Sequence, residues 1–337
     1  MARPVIGIGT SHGPQLITDP RDWPQRVIAD RHNRHFHHGK EYAFDELVTL
    51  RREVDWAPRI AEPVWRQKHG VCQERIGALA DRLRAARPDL AVIFGNDQSE
   101  IFCDDDIPAF AVYRGETIGN IPKSAELRAK LPPGVAEAEL GYCPPVAAHY
   151  PGSPALADHL ISELIEAEFD VAQMSRIPMG PRGHNSIPHA FGFVYRKIMR
   201  DDPVPSVPLF VNNYYEPNKP TVKRCLAFGR AVARAVKSFP GDQRVALIAS
   251  GGLTHFVIDE EFDRLVLDAM EVGDFDRLTA IPEYMFRSPG TGEIKNWLPL
   301  AAAMSELGMK MTILDYVPCY RSEAGTGTAM AFAYWAA

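Results

Sequence analysis

Residues 4–14, Pro-Val-Ile-Gly-Ile-Gly-Thr-Ser-His-Gly-Pro, form a short apolar run that stops at a histidine held between small residues. Such a run has the length of a buried strand, and its abrupt polar end places His12 at an open sheet edge. The pattern recurs at Leu90–Gln98 (Leu-Ala-Val-Ile-Phe-Gly-Asn-Asp-Gln) and at Val245–His255 (Val-Ala-Leu-Ile-Ala-Ser-Gly-Gly-Leu-Thr-His). Open α/β sheets bind ligands outside the carboxyl ends of their strands. Three strands ending in side chains capable of chemistry predict an active site there, most simply one built around a metal.

Around these strands the spacing predicts helices. Ile76, Leu79, Ala80, Leu83 and Ala86 set the helical period over Gln73–Ala86, with Pro88 stopping it before the strand at Leu90. Helices are also predicted over Pro154–Ala167, Pro220–Phe239, Glu260–Met270 and Trp297–Leu307, and strands over Phe169–Met174, Val207–Asn212 and Met309–Tyr316. Alternating helices and buried strands imply an α/β fold, with a central mostly parallel or mixed sheet flanked by helices. No repeat or linker divides the chain, so residues 1–337 are expected to form one large domain. Residues 15–70, polar and irregular, with four histidines inside Arg31–Lys40, read as an inserted cap of helices and loops.

With 337 residues and 46% hydrophobic content, the chain has ample core. Its five scattered cysteines lack a C-x-x-C pair, which argues against a disulfide framework or structural zinc and fits a reducing, cytoplasmic setting. No apolar run approaches the length needed to span a bilayer, and no signal-like segment opens the chain. A net charge of −6 with interspersed signs provides no basic stripe for nucleic acid. The expected partner is a small molecule. The apolar stretch Ala329–Ala337 reads as a last core strand or as a subunit contact, and a homodimer is expected.

Gly7-Ile-Gly9 with Gly13 lacks both the spacing and the following helix of a dinucleotide-binding turn. Ser11 sits in no G-x-S-x-G elbow. His12 is the first candidate metal ligand, since neutral imidazole suits several transition metals. Alone it would fit a structural role. Its company raises the metal reading: His184 in Gly-His-Asn-Ser-Ile-Pro-His-Ala-Phe-Gly, His255 after a glycine pair, and Glu293 in Gly-Thr-Gly-Glu-Ile-Lys-Asn-Trp. An acidic residue also suits any helix start, which is the ordinary reading of Glu293. Asn212, Tyr214 and Tyr215 end another strand and are candidates for contact with an aromatic ring, or equally core tyrosines and a loop asparagine. Arg182 and Lys295 are candidates to pair with a substrate carboxylate.

Taken in order, Thr-Ser-His-Gly-Pro, Gly-Asn-Asp-Gln, Pro-Gly-Ser-Pro-Ala-Leu-Ala-Asp-His, the His184 segment, Asn-Asn-Tyr-Tyr-Glu-Pro-Asn-Lys-Pro, Ser-Gly-Gly-Leu-Thr-His and the Glu293 segment resemble the class III extradiol ring-cleavage dioxygenases. That superfamily is typified by the catalytic β subunit of protocatechuate 4,5-dioxygenase. The enlarged amino-terminal insertion is similar to that of its 3-O-methylgallate dioxygenase-like branch. The resemblance implies Fe(II) held by two histidines and a carboxylate, a catecholic substrate, methoxylated or carboxylated, and dioxygen, in an enzyme that is commonly oligomeric. By motif, His12 and Glu293 become metal ligands, His255 the acid/base, and His184 a residue behind the ligands or against the substrate.

The chain departs from the family pattern at Gln98, which stands where the second histidine ligand is expected. Three arrangements accommodate this. Gln98 or Asp97 completes a weaker site, the preferred reading; His149 or a histidine of the 32–38 cluster substitutes; or iron chemistry is lost. The last leads to two rival functions, a metal-free binding protein on the same fold and a non-oxidative, zinc-type metal-dependent hydrolase.

Overall fold

The computed structural model describes residues 1–132 and 134–337. Its strands are β1 (Arg3–Thr10), β2 (His35–His37), β3 (Lys40–Tyr42), β4 (Leu90–Gly95), β5 (Phe110–Tyr113), β6 (Thr117–Asn120), β7 (Ala148–Pro151), β8 (Ala172–Met174), β9 (Ser206–Val211), β10 (Arg244–Ser250), β11 (His255–Val257), β12 (Lys310–Tyr320) and β13 (Thr326–Ala336). The α-helices are α1 (Trp23–His32), α2 (Phe44–Leu50), α3 (Glu62–Ala86), α4 (Ala125–Ala129), α5 (Pro154–Glu166), α6 (His189–Phe193), α7 (Val222–Ser238), α8 (Glu260–Val272), α9 (Phe275–Ala280), α10 (Pro289–Gly292) and α11 (Ile294–Glu306).

Side chains alternate across a strand, and here both faces are apolar. Val92 and Phe94 of β4, with Val245, Leu247 and Ala249 of β10, enter the cluster that contains residues of α5, α7, α8 and α11. Ala91, Ile93, Ala246 and Ile248 point the other way, into the cluster with residues of α3 and α6. Covered on both faces, these strands read as continuous apolar runs instead of alternating ones. Among the described residues the main sheet has nine strands in the order β11-β13-β1-β10-β4-β9-β5-β8, with β12 also paired to β13.

The sheet is mixed. β1, β10, β4 and β9 run parallel to one another, whereas β13 is antiparallel to β1, β11 and β12, and β5 is antiparallel to β9. The parallel block matters most for function, because its four carboxyl ends emerge on one side of the sheet. The carboxyl-terminal apolar stretch is a core strand, with Ala329 to Ala333 fully buried.

Two expectations shift. The helix predicted from Gln73 begins eleven residues earlier, at Glu62, with a proline in its first turn and Trp65 and Cys72 buried on one face, two turns apart. The region 15–70 holds helices and loops as expected, namely α1, α2 and the first part of α3, together with the hairpin β2–β3. The hairpin turns through His38 and Gly39, both at positive φ (50° and 72°), the pattern of a two-residue type I′ connection. The edge strand predicted over Phe169–Met174 shortens to Ala172–Met174. All five cysteines are free thiols, and no helix among the described residues is long and apolar enough to cross a membrane.

Candidate active site

The carboxyl ends of β1, β4 and β10 deliver His12, Gln98 and Gly252–His255 to one cavity of about 270 Å³, closed on the far side by Glu293. Glu293 sits between α10 and α11, where an acidic side chain meets the favourable end of a thirteen-residue helix. It is 2% exposed, so its charge must be matched locally. Oε2 accepts the Gly252 N–H at 2.9 Å and lies 3.4 Å from His12 Nε2; Oε1 accepts from Gln98 Nε2 at 2.6 Å and lies 3.7 Å from His255 Nε2. Burial opposes ionisation, but His12 and His255 outweigh it and hold the carboxyl well below its ordinary range. A Cβ at 252 would lie 3.0 Å from His255 Nδ1 and would press on that ring.

His12 is buried, and desolvation lowers its pKa despite Glu293. Its Nδ1 lies 2.9 Å from Ser250 Oγ, so Nε2 is the nitrogen presented to Glu293. His255 Nδ1 donates to the Leu253 carbonyl at 3.0 Å, so Nε2 is the nitrogen turned toward Glu293 and the cavity. Phe256 beside it adopts a left-handed φ of 66°, an uncommon conformation for a bulky residue and one that recurs at functional sites.

The histidine that joins His12 and Glu293 is His189, the second histidine of the segment whose first is His184. One donor atom from each of His12, His189 and Glu293 lies within 4.8 Å of the others, and the His12 and His189 rings meet edge to face at 4.8 Å. His189 opens α6. Its Nδ1 and backbone N–H both donate to the Glu100 carboxylate, at 2.7 Å and 3.2 Å. Burial works against both charges, yet their mutual attraction raises the His189 pKa and lowers that of Glu100 to about 2. Glu100 follows Gln98 by two residues and is placed by Asp97, whose oxygens accept the backbone N–H groups of Glu100, Ile101 and Phe102.

Asp97 is thereby committed to its own turn and does not face Glu293. Gln98 presents its N–H to the carboxylate. His149 is exposed on β7, and the 32–38 histidines lie in α1 and the β2–β3 hairpin, where His35 meets the Asp30 carbonyl and His38 meets Asp259. His184 lies in an adjoining cavity of about 480 Å³ that shares Glu100, Lys123 and Arg182 with the first; its Nε2 is buried without a hydrogen-bond partner among the described residues. Asn212 organises its own loop, accepting from the N–H groups of Tyr214 and Tyr215 and donating to the carbonyls of Tyr215 and Asn218. Neither tyrosine lines the cavity around Glu293; burial raises both phenol pKa values, Tyr214 beyond the usual range of a tyrosine. Lys295 is 1% exposed and donates to Glu283 and the Pro220 carbonyl, away from the cavity, whereas Arg182 lines it.

Further residues support the site. Tyr142 donates to the His12 carbonyl. A buried asparagine chain ties three strand ends to α11: Asn213 donates to Asn296 Oδ1, and Asn296 donates to Asn96 Oδ1 and to the Ser250 carbonyl, each at 2.8 Å. Arg26, Lys123, Arg182 and Arg321 line the cavity alongside Glu100, Glu139 and Glu293, with Lys123 3.8 Å from Glu139 and Arg321 paired to Asp30. A buried and a half-buried imidazole with a buried carboxylate, and a second carboxylate behind one imidazole, are a donor set suited to a divalent transition metal.

A family model described as the catalytic LigB subunit of aromatic ring-opening dioxygenase matches residues 54–325. That span contains Gln98, Glu100, His189, His255 and Glu293, while His12 precedes it. A gallate dioxygenase of Pseudomonas putida is 33% identical over 175 residues, 48% of this chain and 47% of that protein. A 2,3-dihydroxyphenylpropionate/2,3-dihydroxicinnamic acid 1,2-dioxygenase of Photorhabdus laumondii is 30% identical over 179 residues, covering 52% and 46%. The chain thus spans about half the length of the curated relatives it matches. A crystal structure of an uncharacterized Escherichia coli K12 protein aligns with 98% of this chain and 99% of its own at 15% identity and a TM-score of 0.46. The match over residues 54–325 decides the matter: the chain belongs to the family of catalytic LigB subunits of aromatic ring-opening dioxygenases, within the class III extradiol superfamily.

Proposed function

We propose that the protein is an Fe(II)-dependent extradiol dioxygenase that opens a catecholic ring bearing an anionic substituent. The observation that carries the reading is the convergence of His12, His189 and Glu293 in a buried cavity of a chain of this family. His12 and Glu293 would donate to the metal; iron so held would acidify the substrate's hydroxyls and bring the ring and dioxygen together.

The chain's own residues supply the rest. With Nδ1–H committed to the Leu253 carbonyl, Nε2 is the His255 nitrogen that would accept a hydroxyl proton and return it as the ring opens. Gly252 and Gln98 fix the orientation of Glu293 by donating to its two oxygens. Arg26, Lys123 and Arg182 supply positive charge along the wall, matching a carboxylate carried on the ring. The enzyme is expected to act as a homo-oligomer.

The test is oxygen uptake by the anaerobically iron-loaded protein with catechol, protocatechuate, gallate, 3-O-methylgallate and 2,3-dihydroxyphenylpropionate. Uptake matched one for one by ring-opened product, with the carboxylated rings favoured over catechol, is the expected result. Stoichiometric iron without uptake on any of them would overturn the reading.

A further inference from the structure

We propose that His189, oriented by Glu100, is the second imidazole donor to the metal, and that Gln98 is a hydrogen-bond donor to Glu293 and not a ligand. The inference rests on the dioxygenase reading for the identity of the metal and deepens it by naming the third protein ligand.

Four observations carry it. His189 has a donor atom within 4.8 Å of donor atoms on both His12 and Glu293, and neither Asp97 nor His255 completes a comparable triad with them among the described residues. Its Nδ1 faces the Glu100 carboxylate at 2.7 Å, so that nitrogen holds the proton and Nε2 is the one available to a metal. A carboxylate behind a ligating imidazole is the usual means of fixing tautomer and ring plane. The same carboxylate takes the backbone N–H of His189, so ring and main chain are held by one group.

The amide of Gln98 is spent in the opposite sense. A carboxylate only accepts, so the Gln98 atom 2.6 Å from Glu293 Oε1 must be the NH2 end. A primary amide ligates through its oxygen, and here it is the NH2 end, which has no lone pair to offer, that is turned toward Glu293. In this chain the loop after β4 therefore contributes twice without ligating: Gln98 steadies the carboxylate, and Glu100 steadies the replacement histidine, which comes from the first turn of α6 across the cavity.

The experiment compares wild type, His189→Ala, Gln98→Ala, Glu100→Gln and His12→Ala in the full chain, using Fe(II) affinity under argon and a count of coordinated imidazole nitrogens. The count is made by pulsed electron paramagnetic resonance on the Fe(II)–nitric oxide adduct of protein carrying 15N-histidine. Two coordinated imidazoles are expected in wild type, Gln98→Ala and a His255→Phe control. His189→Ala should bind Fe(II) at least ~100-fold more weakly, with imidazole added to the buffer restoring part of the loss, and Glu100→Gln roughly 10–100-fold more weakly, as for other groups that orient a ligand. The wild-type count does not depend on whether any variant folds. One imidazole in wild type, or two that survive in His189→Ala, would overturn the inference while leaving the dioxygenase reading in place, provided His12→Ala abolishes binding. Absence of Fe(II) binding in wild type would overturn both.

Discussion

Asp30 and Arg321 join the inserted region to the catalytic sheet, and Asp30→Ala should be the most destabilising single change outside the hydrophobic clusters. The two side chains are 2% and 4% exposed. Arg321 Nε and Nη2 donate to the two Asp30 oxygens at 2.7 and 2.8 Å, Thr326 Oγ1 donates to Oδ2 at 2.6 Å, and Arg321 Nη1 donates to Gln15 Oε1 at 3.1 Å. Removing the carboxylate strands a guanidinium in a dry setting, which costs about 3–5 kcal/mol. With unfolding entropy near ~2.1 cal/mol/K per residue, the 337-residue chain should lose about 4–7 °C in Tm. The double substitution Asp30→Leu with Arg321→Met should recover most of the loss, because it removes the stranded charge as well. Burial alone would raise the Asp30 pKa, but Arg321 and Thr326 bring it below the ordinary value. A depressed carboxyl contributes stability that is present above its unfolded pKa and lost as pH falls through its folded one. Differential scanning calorimetry at pH 7 and at decreasing pH below 4 measures both effects. A Tm shift under about 1 °C for Asp30→Ala, or an acid sensitivity equal to wild type, would refute the reasoning.

His255→Phe should leave iron content intact while steady-state turnover falls by roughly 10²-fold or more, the size of lost acid/base help; unchanged turnover rules His255 out of proton transfer. Ser250→Ala removes the partner of His12 Nδ1 and should weaken Fe(II) binding about 10–100-fold, measured by competition with a chromophoric chelator. His37 is held at about 4 by burial and by neighbouring Arg51 and His38. Because the unfolded chain binds that proton more readily, this group's contribution to stability is present above pH 6.5 and lost as pH falls toward 4; His37→Asn should flatten chemical-denaturation midpoints across that window.

The parallel block was legible because β1, β4, β9 and β10 are buried on both faces, which leaves an uninterrupted apolar run ending in polar residues. The first half of α3 was not. Glu62–Gly70 is mostly polar and shows only Trp65 as a fully buried apolar residue, although Pro63, in the first turn, was a usable start signal. His12, His255 and Glu293 were legible from strand-end and glycine-turn context, and the structure brings all three together with Gln98. His189 and Glu100 were not, since their partnership joins residues 89 apart and leaves no periodic trace. Pro188 immediately before His189 marks a helix opening, the one local sign that this histidine has a fixed direction. Asn213 and Asn296 were likewise hidden, because a buried amide chain is defined by tertiary contact alone.

The pairing of β1 with β13 has a kinetic consequence. Gly7 to Thr10 register against Trp335 to Phe332, and Ser11 exchanges hydrogen bonds with Ala331, so His12 acquires its position only after segments more than 300 residues apart have met. Contacts this distant in sequence close late and slowly. A refolding chain should therefore regain most of its helical signal before it can capture iron, and metal uptake would time the last stage of assembly, when the two ends of the sheet lock together.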